Sequence, residues 1–123
     1  MISSCLLDEQ LIFALPSVPF RYPEGLPRVS CVYFVVDSSR NLKYIGRCKD
    51  LLQRFTGDGS TKNQSNGWSH KVFYKALRFD DVLDWYIYYQ EMPQEDLHSV
   101  ERQYISKYTP VLNVSIPKRK YEP

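Results

Sequence analysis

The sequence predicts a small mixed α/β (α+β) fold: a three-stranded antiparallel sheet flanked by helices, in the order β-β-α-α-β-α. Three observations carry this expectation. Residues 31–36 and 41–46 are apolar, β-branched and aromatic runs, and Asp37, Ser38, Ser39 and Arg40 between them suit a turn. Residues 93–108 set Leu97, Val100, Tyr104, Ile105 and Tyr108 at three- and four-residue steps, the spacing of one helical face. The chain has 123 residues, 43% hydrophobic and 24% charged, which suits one modest globular core.

Residues 1–30 show no strong periodicity. Residues 11–15 suit a short strand or a helical turn. Pro16, Pro19, Pro23 and Pro27 then remove backbone donors at close intervals. They predict an extended segment packed on the domain, pinned by Val18 and Phe20. Residues 31–116 form the domain proper and 117–123 a basic tail holding Lys118, Arg119 and Lys120.

The run CVYFVV is apolar on both faces, so it reads as a central strand covered on each side. Strand side chains alternate faces, so the length of the hairpin loop matters. An even loop pairs Tyr33 opposite Tyr44 on one face; an odd loop separates them. Gly46 ends the second strand, and Asp50 is placed to cap a helix containing Leu51, Leu52, Arg54 and Phe55. Residues 56–67 are polar and glycine-bearing, a loop. Residues 68–77 return to helical spacing, and 82–89 read as the third strand. Pro93 opens the last helix ahead of Gln94, Glu95 and Asp96, an acidic start that suits the helix dipole. Pro110 stops it, and residues 111–113 read as extended.

Charge and cysteine content exclude several classes. The formal net charge is +2, from 16 basic and 14 acidic residues, too small an excess to argue for nucleic acid without a local basic face. Cys5, Cys31 and Cys48 are an odd count without CxxC spacing, neither a zinc site nor a disulfide framework. Reduced thiols in a cytoplasmic protein are the plain expectation. No apolar run is long enough to span a bilayer, and the amino terminus lacks a signal-peptide pattern.

Four side chains are candidates for chemistry. Glu101 falls on the apolar face of the last helix, where a carboxylate is costly unless paired or bound to a cation. It is either a boundary glutamate bonded to an Arg or Tyr, or a ligand for Mg²⁺, which takes few carboxylates and several waters. Arg54 is either a solvated arginine or a guanidinium fork on a phosphate. Tyr33 and Tyr44 are either core or a general base whose proton a neighbouring cation helps remove.

These residues together resemble the GIY-YIG nuclease family. The second tripeptide of that family is intact as Tyr44-Ile45-Gly46; the first is degenerate, Cys31-Val32-Tyr33 keeping only its tyrosine. Arg54, then Glu101 in ERQYISKYTPVLN, then Asn113 in PVLN follow in the family's order. The resemblance covers about residues 31–113. Cys31, Cys48 and Asp50 depart from the family's usual glycine, serine and asparagine, and Asp58 stands where a histidine or tyrosine is common.

The resemblance implies a metal-dependent DNA endonuclease of the cytoplasm. Its site would be Tyr33, Tyr44, Arg54, Glu101 and Asn113, with one Mg²⁺ (or Mn²⁺) ion on Glu101. Tyr33 would be the general base, supported by Tyr44, and Asn113 would position backbone or close an Asx turn. Lys43, Arg47, Lys49 and His70 are expected at DNA phosphates, with residues 56–67 facing DNA. Target choice would need those loops, a homodimer or a targeting partner protein. The alternative is a catalytically weak or inactive nucleic-acid-binding module on the same scaffold; a structural domain whose tyrosines are only core is a third class.

Overall fold

A computed structural model describes residues 6–20, 22–56, 84–110 and 112–113. The helix expected at 68–77, His70, Asp58, most of the 56–67 loop and the basic tail lie outside them. The described elements are α1 (Glu9–Ile12), β1 (Ser17–Pro19), a 3-10 turn (Pro23–Gly25), β2 (Cys31–Val36), β3 (Leu42–Cys48), α2 (Leu51–Thr56), β4 (Tyr86–Glu91) and α3 (Gln94–Tyr108).

The sheet has four strands in the order β1-β4-β2-β3, one more than the sequence predicts. The extra strand is β1, which pairs antiparallel with β4 through Ser17–Tyr88, Val18–Ile87 and Pro19–Tyr86. The prolines hide it: a strand bounded by Pro16 and Pro19 scores poorly, yet an edge strand bonds on one side only and tolerates a missing donor. The Pro16 carbonyl still accepts from the Tyr89 amide at 3.2 Å, and the Phe20 amide donates to the Trp85 carbonyl at 2.8 Å.

β2 sits between β4 and β3, antiparallel to both, and all six of its residues are buried. Cys31, Tyr33 and Val35 enter one core with Phe20, Leu51, Phe55, Ile87 and Leu112. Val32, Phe34 and Val36 enter a second core with Ile12, Ile45, Leu97, Val100 and Tyr104. Burial of each large apolar side chain contributes about 1.5–3 kcal/mol, so β2 anchors both layers.

The hairpin corrects the expected pairing of the tyrosines. Five residues, 37–41, separate β2 from β3, an odd loop rather than a four-residue one. Asp37 organises it: its Oδ1 accepts from the amides of Ser39 (2.9 Å) and Asn41 (2.8 Å), and Arg40 takes a left-handed φ of 66°. A bulge then restores the parity. Val35 faces Tyr44 and Val36 faces Leu42, which leaves Lys43 as the extra residue. Tyr33 therefore faces Gly46, not Tyr44, and the two tyrosines lie diagonally on one face.

α2 begins where Asp50 Oδ1 accepts from the Gln53 amide at 3.1 Å, the cap its position suggests. α3 begins after Pro93 and ends at Thr109, whose left-handed φ of 41° turns the chain before Pro110. Residues 112–113 are helical rather than extended, with the Asn113 amide bonded to the Pro110 carbonyl at 3.0 Å. α3 packs in the second core while Leu112 lies in the first. The chain thus crosses from one layer to the other around the outer edge of β3.

Candidate active site

That outer edge is where the singled-out residues meet. Gly46 provides the opening. It faces Tyr33 in the ladder, and a methyl group at position 46 would lie 2.5 Å from Tyr33 Cζ and 3.0 Å from Tyr44 Cε2. The Tyr33 ring therefore reaches across the edge strand where any other residue would block it. Phe55 holds that ring edge-on, with centroids 5.2 Å apart, and Tyr44 lies beside it at 6.2 Å.

Tyr33 is 1% exposed. Burial pushes its phenol well above the usual range and the nearby Tyr44 adds to this; the Arg54 charge pulls it down, and Cys48 and Glu101 push it up again. The charges of Arg54 from α2 and Glu101 from α3 are thus both felt at this hydroxyl. Burial outweighs the cation, so Tyr33 stays a protonated phenol at neutral pH. The fold puts that ring in the core, and there desolvation opposes the phenolate more than the Arg54 charge favours it.

Glu101 and Arg47 form an ion pair, Nη1 to Oε1 at 2.6 Å. The Glu101 side chain is 14% exposed and that of Arg47 44%, so the acid is sheltered and its partner is not. The pairing follows from strand parity. Tyr44, Gly46 and Cys48 face the α2 layer; Arg47 faces the α3 layer, where Glu101 waits. Arg54 is exposed, and its Nη2 approaches the Arg47 carbonyl at 3.4 Å.

Asn113 does not close a local turn. Its Oδ1 accepts from the Ile45 amide at 2.8 Å and its Nδ2 donates to the Ile45 carbonyl at 2.9 Å. Among the described residues no strand lies beyond β3, and the carboxamide bonds these two groups as a ladder partner would. Lys43 is drawn to the hairpin, 3.9 Å from Asp37 Oδ2 and 5.8 Å from the Trp85 ring centroid. Lys49 is exposed directly after β3. The Arg47–Glu101 pair matches the sequence alternative of a boundary glutamate bonded to an arginine, but which arginine, and the stapling of Ile45, could not be read there, since each joins residues more than fifty positions apart.

If the half-exposed Arg47 left its pair with Glu101, the sheltered carboxylate would suit a hard divalent ion that keeps most of its waters. Among the described residues no group of three His, Cys, Asp or Glu side chains is placed to hold a metal. Glu101 is thus the carboxylate on which such an ion would depend. Also among the described residues, no helix is long and apolar enough to cross a membrane.

The fold and this edge define a mixed α/β domain with tyrosines, an arginine and a glutamate gathered at a β-hairpin. The model of the GIY-YIG catalytic domain matches residues 29–114, and the chain belongs to that family. The match begins just before β2 and ends just after Asn113. Solved structures similar to the chain include the magnesium-bound GIY-YIG N-terminal endonuclease domain of UvrC from Thermotoga maritima. It is 19% identical, with 75% of this chain and 91% of that chain covered and a TM-score of 0.48. A point mutant of the same domain bound to its catalytic divalent cation is also 19% identical, over 74% of this chain and 89% of that chain, with a TM-score of 0.47. No curated protein matches the chain. The family match, rather than these distant structures, carries the assignment.

Proposed function

We propose that the chain is a metal-dependent endonuclease that hydrolyses DNA phosphodiester bonds. One observation carries this reading: at the end of β3, Arg47 pairs with Glu101 at 2.6 Å and its carbonyl lies 3.4 Å from Arg54 Nη2, next to Gly46, across which the paired rings of Tyr33 and Tyr44 lie. An acid, a guanidinium and two phenols gathered in this way provide a cation ligand, a phosphate grip and hydroxyls to orient water. The Thermotoga maritima domain is described as bound to magnesium, its catalytic cation, and one Mg²⁺ or Mn²⁺ ion on Glu101 is the corresponding proposal here. Such an ion supplies Lewis-acid stabilisation of charge on the phosphate and leaving oxygen.

The protein's own residues do the rest. Arg54, exposed at the end of α2, holds a non-bridging phosphate oxygen and stabilises charge as it grows there. Tyr33, a protonated phenol, donates a hydrogen bond and fixes the attacking water. The half-buried Tyr44 beside it relays the water's proton, taking it at Oη as its own phenolic proton passes to solvent. Arg47 leaves Glu101 and turns to a neighbouring phosphate, joined by Lys49 and, more weakly, by the hairpin-bound Lys43. These contacts bring affinity without sequence reading. Asn113 keeps Ile45, and with it Tyr44 and Gly46, in register. Target choice falls to residues beyond the described ones, His70 and most of 56–67 among them, or to a second copy or a targeting protein. A cytoplasmic setting suits the unlinked thiols of Cys31 and Cys48.

A second reading, a nucleic-acid-binding module that does not cut, draws on the Arg47–Glu101 pair, which already satisfies the carboxylate. Supercoiled-plasmid nicking separates the two. The endonuclease nicks with Mg²⁺, stops with chelator, and loses about 100-fold or more of its rate in Glu101→Ala and in Arg54→Ala while both variants keep the wild-type circular dichroism. Wild-type cutting by Glu101→Ala, or salt-sensitive DNA binding with no nicking under any divalent ion, removes the endonuclease.

A further inference from the structure

Beneath the site lies a pair of groups that the proposed cutting does not use. Cys31 and Cys48 face each other in the β2–β3 ladder, and their sulfurs are 3.8 Å apart, both buried and neither in a disulfide. Opposed residues of an antiparallel ladder have Cα atoms about 4.5–5.5 Å apart. That span lies inside the range of about 4.4–6.8 Å that a disulfide bridges. The two sulfurs can therefore bond without a change of strand register.

We propose that Cys31 and Cys48 are a reversible dithiol–disulfide pair, a modification site set in the floor of the candidate active site and responsive to hydroperoxides. The two thiols are not equivalent. Cys31 is 0% exposed on the central strand; Cys48 is 5% exposed on the edge strand, between exposed Arg47 and Lys49. Either sulfur can donate in their contact, so place decides the roles. Burial and the Asp50 charge oppose a thiolate at Cys48 while the Arg54 charge and the Asp50 backbone amide favour it, and Cys31 lies wholly buried on the inner strand. The more accessible Cys48 is therefore assigned as the nucleophile and Cys31 as the resolving group.

The chemistry balances. The Cys48 thiolate attacks one oxygen of a hydroperoxide, the O–O bond breaks, and the departing oxygen takes a proton, leaving Cys48 as a sulfenic acid. The Cys31 sulfur then attacks the Cys48 sulfur. The sulfenic oxygen leaves with the Cys31 proton as water. Two thiols are oxidised, one peroxide is reduced, and a thiol reductant reverses the bond. Closing 3.8 Å to a bonded pair ties the end of β3 to β2. β3 ends three residues before α2, the helix that carries Arg54, so the link shifts the phosphate grip. This last consequence rests on the endonuclease reading.

The test uses the full chain with Cys5→Ser, so that two thiols remain. The native protein is treated with a small excess of hydrogen peroxide, then mapped by mass spectrometry. The expected result is a monomer lighter by two hydrogens, a cross-linked peptide joining positions 31 and 48, and full recovery of both thiols with dithiothreitol. Cys31→Ser in the same background accumulates a sulfenic acid at Cys48, trapped by a cyclic dione. Two free thiols after treatment, or first oxidation at Cys31, overturns the proposal. Plasmid nicking by the oxidised protein is expected to fall several-fold and to return with dithiothreitol, with no such loss in Cys31→Ser. Equal nicking in both redox forms overturns the link to Arg54. Absence of nicking in the reduced protein refutes the endonuclease reading and leaves the thiol result to stand alone.

Discussion

Two residues on the edge strand decide what the site can do. Gly46 is fixed by space rather than by backbone freedom, because the Tyr33 ring lies where a side chain would begin. Gly46→Ala forces a buried ring on a central strand to move, an overpacking change that costs about 1–3 kcal/mol. Urea denaturation should show that loss, together with weaker DNA cutting from the displaced phenol. Arg47 has the opposite character. It neutralises Glu101 in the free protein and sits exposed enough to leave. An ion pair of this exposure is worth about 0.2–1 kcal/mol. Arg47→Ala should therefore lower the Mg²⁺ concentration for half-maximal activity by up to about five-fold. The same change should weaken DNA binding and reduce its salt dependence by about one phosphate contact. Magnesium titration and binding across a salt series measure the two effects.

At the scale of elements, the β2–β3 hairpin and the turn after α3 act as one unit. An odd loop would send Tyr33 and Tyr44 to opposite layers, and the bulge at Lys43 returns them to the same one. Beyond α3, the left-handed turn at Thr109 carries the chain around β3 so that Asn113 meets both polar groups of Ile45. Asn113→Ala strands an amide and a carbonyl at a part-buried edge. The expected cost is about 1–3 kcal/mol. Hydrogen exchange locates it: the Ile45 amide should lose its protection first, ahead of the amides of β2. Equal exchange at Ile45 in the variant and the wild type would mean that the carboxamide does not support the strand.

At the scale of the molecule, two cores share one sheet, and the segment before β2 belongs to both. Ile12 is buried in the α3 layer, Phe20 in the α2 layer, and β1 extends the sheet. The Tyr104 hydroxyl also accepts from the Leu7 amide at 2.9 Å and donates to Gln90 Oε1 at 2.7 Å, tying that segment to α3 and β4. The family match starts at residue 29, but the described part of the earlier segment supplies side chains to both cores. Removing residues 1–20 deletes two buried side chains, each worth about 2–5 kcal/mol, and exposes an edge of β4. Total stability of about 5–15 kcal/mol would not survive this intact. The shortened protein should lose its cooperative thermal transition, which calorimetry would show.

The sequence by itself determined the hairpin, the Asp50 cap of α2, the extent of α3, the central place of β2 and the identity of the candidate acid, arginine and tyrosines. Those are local properties: alternation, helical spacing, a capping aspartate and a short motif are each written within a few residues. Tertiary structure alone decided the fourth strand, the diagonal register of the tyrosines, the Arg47–Glu101 pair, the stapling of Ile45 and the meeting of Cys31 with Cys48. Each depends on which side of a strand faces which layer, and a single bulge residue reverses that parity without leaving a trace in composition. The same distinction explains Tyr33. Its place in the motif suggests a base, but the free energy of taking a phenolate out of water is set by the packing around it, and that packing comes from residues elsewhere in the chain.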